Sequence, residues 1–592
     1  MRPTTRGPLN PIELTLFQNH IHYAAQQMGW VMTRTAQSPI FSQSHDFSCF
    51  VTDRHGQLVT QADGIPIHTG GGGFAVRALL RDFDGDIDPE DAFILSDPYV
   101  AGGNHLPDWV IARPVFVEGR LMAFVCNRAH QSDIGGGAAG TYNSAATEIF
   151  HEGIRLPVLR LVERGKTRRD LWNLLLLNTR MPDHLDGDLK AMLGSTAVGA
   201  NLIAARMKEI GVEPSLTALE EILSRGETAM RTALATLLPG EGCGEEGYDD
   251  DCFERIDARI RVRITITGEK MVVDFSDTDP QVRGFKNSSV ANTHSAVYMA
   301  VIAFLGNSVP QNEGAYRCIE IRAPEGTIVN ARPPAPVTMC TVFPAQHIIH
   351  ACWHALAAFD PQRACAGWGM TGNVNTAWMD EQGRTSIMYH WAANAGGGAV
   401  RERDGFNQLG NVGTLGALVL PNAEQYEQMF PVRVLKQEFR SDAAGDGARR
   451  GGTGVHYAVK IERAGEYTVR AEGTRISRGV GILGGTAGTT SRLLFTPDDR
   501  PAFEPPPYAV LRLGPTRLDI WSCSGGGYGD ALDRDVEDVM GDVRSGLLSV
   551  ARAAGIYGVV ADHSGLNADW EATDAMRLQR RAVQQLRNGR ST

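Results

Sequence analysis

The sequence predicts a mixed α/β protein of the α+β type, multidomain, with a metal-binding N-terminal part and a β-rich C-terminal part. Three observations carry this. Helical periodicity runs through two long stretches before residue 240, with hairpin signatures between them. An acidic, glycine-rich stretch at 239–251 (PGEGCGEEGYDDD) then breaks the pattern. Beyond it, short alternating segments and turns prevail. At 592 residues the chain has length for two or three domains. The expected division is 1–240, a metal-binding α/β domain, and 251–592, a β-rich mixed α/β region with room for two subdomains.

Asn10-Pro11 reads as an N-cap followed by proline at the first helical position. Leu14, Phe17, Ile21, Ala24, Met28 and Val31 follow at helical spacing, which predicts an amphipathic helix ending near Arg34. FSCFVTD-RHG-QLVTQ, residues 47–61, predicts a hairpin turning at Gly56, with Asp46 just before its first strand. After the glycines at 70–73, Phe74, Leu79, Leu80 and Phe83 predict a short helix, and 92–96 another strand. The apolar runs 109–117 and 120–129 are separated by Glu118-Gly119 alone, a two-residue hairpin turn. Pairing 117 with 120 sets Asp108 opposite Ala129 and His130 opposite Pro107. Residues 168–235 read as mainly helical. In the second half, Ile260, Val262, Ile264 and Ile266 alternate with polar residues, Gly268-Glu269 turns the chain, and 271–275 returns. Helical segments are expected at 291–306 and 346–358, glycine-rich loops at 396–398, 445–454 and 525–529. The last segment, from about Asn567, reads as a polar helix whose Arg577, Arg580, Arg581 and Arg587 face solvent or an interface.

Composition narrows the function classes. Hydrophobic content of 43% and charged content of 21% are those of an ordinary globular protein. A net charge of −11 argues against a general nucleic-acid binder. The longest apolar stretch, near 296–305, is too short to span a bilayer, and MRPTTRGPLNPIEL carries no signal-peptide core, so a cytoplasmic protein is expected. Nine cysteines stand singly, without a CxxC pair. Cys49, Cys126, Cys340 and Cys352 lie in apolar contexts and are expected as reduced, buried thiols.

The chemistry concentrates in DPYVAGGNHLPD (97–108) and NRAHQSDIGG (127–136). His105 and Asp108 share a loop, and hairpin closure brings His130 to them. Asp46 becomes a fourth ligand if the two hairpins share a sheet. Two imidazoles and two carboxylates suit zinc, manganese or ferrous iron alike. The alternative is a polar loop cluster in which Asp108 caps a turn and His130 bonds backbone. Asp133 is either a carboxylate orienting His130 or a turn aspartate before glycines. His68 either contacts substrate or bonds across its turn. Glu148 and Glu152, four apart, share a helix face or are surface acids. There is no G-x-x-x-x-G-K-[ST] loop, and Gly525-Gly-Gly-Tyr-Gly-Asp530 has no following lysine. Nor is there a G-x-S-x-G nucleophile elbow. Any ATP site is therefore expected on another chain.

These segments, with His45-Asp46-Phe-Ser48, Glu152-Gly-Ile-Arg-Leu-Pro157, Pro310-Gln-Asn-Glu-Gly-Ala-Tyr-Arg317 and Arg449-Arg-Gly-Gly-Thr-Gly454, resemble the hydantoinase B/oxoprolinase family over nearly the whole chain. The resemblance implies a metal site whose ligands fall on Asp46, His105, Asp108 and His130. It also implies a hydantoinase A-type ATPase partner subunit that uses ATP-Mg, in a heterotetramer or larger assembly. The implied reaction is ATP-dependent opening of a small cyclic amide (a hydantoin, a lactam or 5-oxoproline), with Asp133 and His68 as candidate proton handlers. Two alternatives stay open: a subunit of a biotin-independent ketone carboxylase, and a non-catalytic subunit with a closed metal site. A chain that departs from the family's Ile-Pro-Pro at Arg155-Leu-Pro157, and that carries Cys340 and His347, has room to tune its substrate.

Overall fold

A computed structural model describes residues 8–62, 64–306, 308–370 and 372–588. The first helix, Pro11–Thr35, opens with a capping box. The Asn10 side chain accepts from the backbone of Ile12 and Glu13, and Glu13 reaches back to the Asn10 amide. Its buried stripe includes Leu14, Phe17, Ile21, Ala24 and Met28.

That stripe covers a seven-stranded sheet. Its strands are β1 (Phe47–Asp53), β2 (Leu58–Gln61), β3 (Ala92–Leu95), β4 (Asp108–Val117), β5 (Arg120–His130), β6 (Leu159–Glu163) and β7 (Lys166–Thr167). Their spatial order is β2-β1-β5-β4-β3-β6-β7, and every neighbouring pair is antiparallel. The sheet is buried on both faces. Cys49, Val51, Trp109 and Ile111 pack with the helices Pro11–Thr35 and Pro182–Ile210. Phe50, Val110, Ala112 and Phe124 pack with Val290–Leu305 and Phe343–Leu356. Two covered faces explain why β4 and β5 read as apolar runs rather than as an alternation.

The second sheet holds β8 (Gly240–Gly247), β9 (Arg259–Thr267), β10 (Lys270–Asp274) and β11 (Ile319–Arg322) in the order β11-β10-β9-β8. The stretch expected as a domain boundary is thus largely the outer strand β8. Its glycines serve packing: a Cβ on Gly244 would lie 2.0 Å from the Ala351 carbonyl oxygen of the helix laid across it. The core on this side draws residues from Phe50 to Val412, on both sides of the expected boundary.

The remaining strands are β12 (Gly372–Met379), β13 (Thr385–Tyr389), β14 (Val432–Phe439), β15 (Val455–Ile461), β16 (Gly465–Ala471), β17 (Arg492–Pro497), β18 (Tyr508–Leu513) and β19 (Thr516–Trp521). They form two antiparallel sheets, β13-β12-β16-β18 and β14-β15-β19-β17, around a shared core that includes Val374, Tyr457, Tyr467 and Phe495. The glycine-rich loops interlock beside this sandwich. A Cβ on Gly525 would lie 2.0 Å from the Gly397 carbonyl oxygen, so that loop is a backbone packing layer rather than a phosphate cradle. The polar helix is Trp570–Asn588; Arg577 donates to the Arg534 carbonyl at 2.7 Å and Arg581 pairs with Asp533 at 2.9 Å, while the side chain of Arg587 lies outside the described residues. Among the described residues no helix is long and apolar enough to cross a membrane. Cys49, Cys126, Cys340 and Cys352 are free and buried.

Candidate metal centre

The site begins with the β4–β5 turn. Glu118 (φ 51°) and Gly119 (φ 76°) both take left-handed backbone, as a type I′ turn requires, and Val117 pairs with Arg120. The register then changes. Phe116 opposes Leu121 but Val115 opposes Ala123, so Met122 is an extra, bulged residue. Beyond it each pair is displaced by one, and Asp108 faces His130 directly while Trp109 faces Ala129. The expected pairings of Asp108 with Ala129 and His130 with Pro107 are corrected by this bulge.

On the other side of β5, Phe47 of β1 faces Ala129, and the His130 amide donates to the Asp46 carbonyl at 3.1 Å. His45 takes a φ of 57°, turning the chain into that register. Directly opposed residues of adjacent strands share a face. Asp46, His130 and Asp108 thus stand in a row across three strands. His105 arrives from the loop before β4, whose tightness demands glycine: a Cβ on Gly103 would lie 1.8 Å from the Ser96 carbonyl oxygen. His68 arrives from the short helix Pro66–Thr69.

His105 Nε2 lies 2.7 Å and His130 Nδ1 3.1 Å from Asp108 Oδ1. His68 Nε2 lies 3.4 Å from Asp108 Oδ2 and 3.7 Å from Asp46 Oδ1. One donor atom each of His105, Asp108 and His130 lies within 4.8 Å of the others. Asp108 is fully buried and its Oδ2 has no hydrogen-bond partner.

The outer nitrogens decide the electrostatics. His105 Nδ1 meets the Thr338 carbonyl at 2.6 Å, and a carbonyl only accepts, so the neutral ring turns the bare lone pair of Nε2 toward Asp108. His130 Nε2 meets Thr141 Oγ1 at 3.2 Å, and the hydroxyl proton of Thr141 is already given to the Gly140 carbonyl. Ser48 likewise donates to the Ile65 carbonyl, which leaves its oxygen to receive His68 Nδ1 at 3.4 Å. With all three rings neutral, their inner lone pairs face the carboxyl oxygens of Asp108 and Asp46. At 2.7 Å, either a proton held between His105 and Asp108 or a bound cation satisfies this contact. The donor set suits a divalent ion, and each imidazole carries the outer hydrogen bond that fixes a metal-ligating tautomer.

Burial and the Asp108 charge set the protonation within the group. Burial pushes the Asp46 carboxyl up to about 8, with the Asp108 charge adding to it. Burial lowers His68 to about 4, and lowers His130. For His105, burial works downward but the Asp108 carboxylate outweighs it, and the net shift is upward.

Asp133 lies outside this group. It accepts from the amides of Gly135, Gly140 and Arg180 and pairs with the Arg180 guanidinium at 2.9 Å, which makes it the anchor of its own glycine loop. The position expected for it beside His130 belongs to Thr141.

The hydantoinase B/oxoprolinase family model matches residues 10–531. The chain belongs to this family. The beta subunit of caprolactamase from Pseudomonas jessenii is 30% identical over 96% of this chain and 99% of its own. The crystal structure of that organism's ATP-dependent caprolactamase superposes with a TM-score of 0.89 at 29% identity, covering 97% of this chain and 100% of the other. The B-type subunit of a putative D-/L-hydantoinase from Pseudomonas sp. (strain NS671) is 28% identical over 96% of this chain and 98% of its own. An acetone carboxylase structure shares the fold, with a TM-score of 0.86 at 19% identity over 98% of this chain and 84% of the other. Two of these relatives are named as subunits of their enzymes.

Within this family frame, two residues matter that sequence reasoning missed or misplaced. Glu148 is exposed, but Glu152 is buried and accepts from Val337 and Thr338 amides at 3.1 and 2.8 Å, fixing the loop whose carbonyl orients His105. The two do not share a helix face; they flank a single 3₁₀ turn, Ile149–His151. The available signal was the EGIRLP segment itself. Arg470, 4% exposed, lines the same cavity as Asp46, His68 and His130. It stands in GEYTVRA, a strand with no motif to mark it.

Proposed function

We propose that this chain is the metal-holding subunit of an ATP-dependent cyclic-amide hydrolase, opening a hydantoin, lactam or 5-oxoproline ring together with a hydantoinase A-type ATPase subunit that uses ATP-Mg. The observation that carries this reading is the convergence of three imidazoles on the buried carboxyl groups of Asp108 and Asp46 at the wall of a cavity. Asp46, His68 and His130 line that cavity, of about 60 Å³. A structural metal site would be closed, so the cavity argues against a non-catalytic role.

Asp46, His105, Asp108 and His130 would hold zinc, manganese or iron, and the ion would supply Lewis acidity toward the ring carbonyl. His68, neutral at physiological pH with Nε2 bare, is placed to accept a proton at the cavity wall. Phosphorylation by the partner would convert the unreactive amide oxygen into part of a leaving group, which drives an otherwise uphill ring opening. The assembly we infer is a heterotetramer or larger in the cytoplasm; two relatives being named as subunits supports a partner chain.

The test is co-expression with the ATPase subunit and an assay of ADP and product. ADP release coupled to ring opening, independent of bicarbonate, is expected. Turnover only with a ketone plus bicarbonate would assign the carboxylase reaction instead. Ring opening by this chain alone, without ATP, would overturn the two-subunit mechanism.

A further inference from the structure

Among the described residues four cations are deeply buried; carboxylates pair with two of them, and two or more neutral acceptors hold a third. Lys286 meets Asp250 and Glu472 at 2.7 Å each. Arg534 meets Asp404 at 2.7 Å and Asp542 at 2.8 Å. Arg128 gives one guanidinium nitrogen to the His68 carbonyl at 2.5 Å and to Asn104 Oδ1 at 2.9 Å, which locks the metal-site loops. Arg470 is different. Its side chain makes one hydrogen bond, Nη1 to Asn375 Oδ1 at 2.9 Å, and lies 3.9 Å over the Tyr142 ring. Among the described residues no carboxylate pairs with it: those nearest the cavity, Asp46 and Asp108, face the imidazoles.

A buried guanidinium without a counter-charge is costly unless a ligand supplies one. Arg470 borders the cavity that Asp46, His68 and His130 also line, and the amides of Asn373 and Asn394 stand on the same wall. With Nη1 held by Asn375, the rest of the fork is free for two-point contact with an oxyanion. Tyr142 also stacks with the His130 ring, 5.5 Å between centroids. The guanidinium and the His130 imidazole thus share one aromatic neighbour. A cyclic substrate with its carbonyl at the donors could present a charged group to Arg470.

We propose that Arg470 forms an oxyanion subsite of the catalytic cavity, receiving an anionic oxygen group carried by the substrate. This rests on the cyclic-amide reading of the site. The group is either a carboxylate borne on the ring or the phosphoryl group of an activated substrate; both present the same chemistry to a guanidinium.

The full chain, without ATP, is titrated calorimetrically with 5-oxoproline, with 2-pyrrolidinone (the same ring lacking the carboxylate) and with inorganic phosphate. Binding of at least one of the two anions is expected, weakened by Arg470→Met by roughly 30-fold or more, with Arg470→Lys retaining part of the affinity. Preference for 5-oxoproline over 2-pyrrolidinone, abolished in Arg470→Met, assigns the carboxylate. Equal binding of the two rings with Arg470-dependent phosphate binding assigns the phosphoryl group. Should Arg470→Met fail to fold, judged by circular dichroism, Arg470→Lys and Arg470→Gln carry the same comparison. Anion affinities that do not change on substitution, or a wild-type chain that binds neither anion, would overturn the subsite. Because no turnover is measured, absent ring-opening activity sinks the proposed function without touching this result, and Arg470-independent binding in an active enzyme sinks only the subsite.

Discussion

At the scale of single residues, the centre depends on nitrogen lone pairs being aimed by their outer hydrogen bonds. His105 owes its tautomer to the Thr338 carbonyl, which Glu152 holds in place through two backbone amides. His105→Ala and Asp108→Asn are each expected to remove most bound metal, read by elemental analysis of the purified protein; stoichiometric metal in both would refute the ligand assignment. Asp133→Asn is expected to keep its metal, since its contacts run to the loop and Arg180, but to melt earlier. The histidines at these positions were legible in the sequence because that residue type is rare and chemically specific, and the aspartates because they share segments with histidines. Glu152 and Arg470 were not. A glutamate four residues from another carries no sign of burial, and an arginine in a strand looks solvated until its neighbours are known.

At the scale of elements, the β4–β5 hairpin shows what local pattern does and does not reveal. Glu118-Gly119 announced the turn, and the apolar runs announced both strands. The bulge at Met122 left no mark, because an extra apolar residue inside an apolar run changes no pattern, yet it decides which residue faces His130. The same limit applied at β8, whose glycines read as a linker because the helix that needs close approach is about a hundred residues further along. The turn itself sits far from the chemistry, and a Cβ on Gly119 would meet nothing within 4 Å. Gly119→Ala therefore isolates the conformational cost of left-handed backbone, roughly 1–2 kcal/mol. Urea denaturation should show that loss with metal content unchanged. Metal loss in this variant would mean that the register at Asp108 depends on the turn as well as on the bulge.

At the scale of the whole molecule, the expected two-part division meets a structure whose cores and buried charges run across it. Lys286, with no exposed surface, joins Asp250 at the end of β8 to Glu472 at the end of β16, and Tyr508 donates to Glu472 at 2.7 Å from the first residue of β18. One buried cation thus ties the second sheet to the sandwich, a long-range link that composition cannot show. Burial alone would push the Glu472 carboxyl up, but Lys286 outweighs it and holds the group at about 2, against an ordinary 4.5. Replacing one partner of a buried pair leaves the other charge uncompensated, so Glu472→Gln is expected to cost about 3–5 kcal/mol at neutral pH. The sign of its pH dependence follows from the depressed value. The carboxylate's contribution is fully present above 4.5 and is lost as pH falls toward 2, since the unfolded chain takes up the proton first. Urea unfolding of wild type and Glu472→Gln across that window should therefore show the stability gap narrowing on acidification. A gap that holds constant, or widens, would mean that the link between the two sheets rests on packing around Tyr248 and Tyr508 rather than on the charge they enclose.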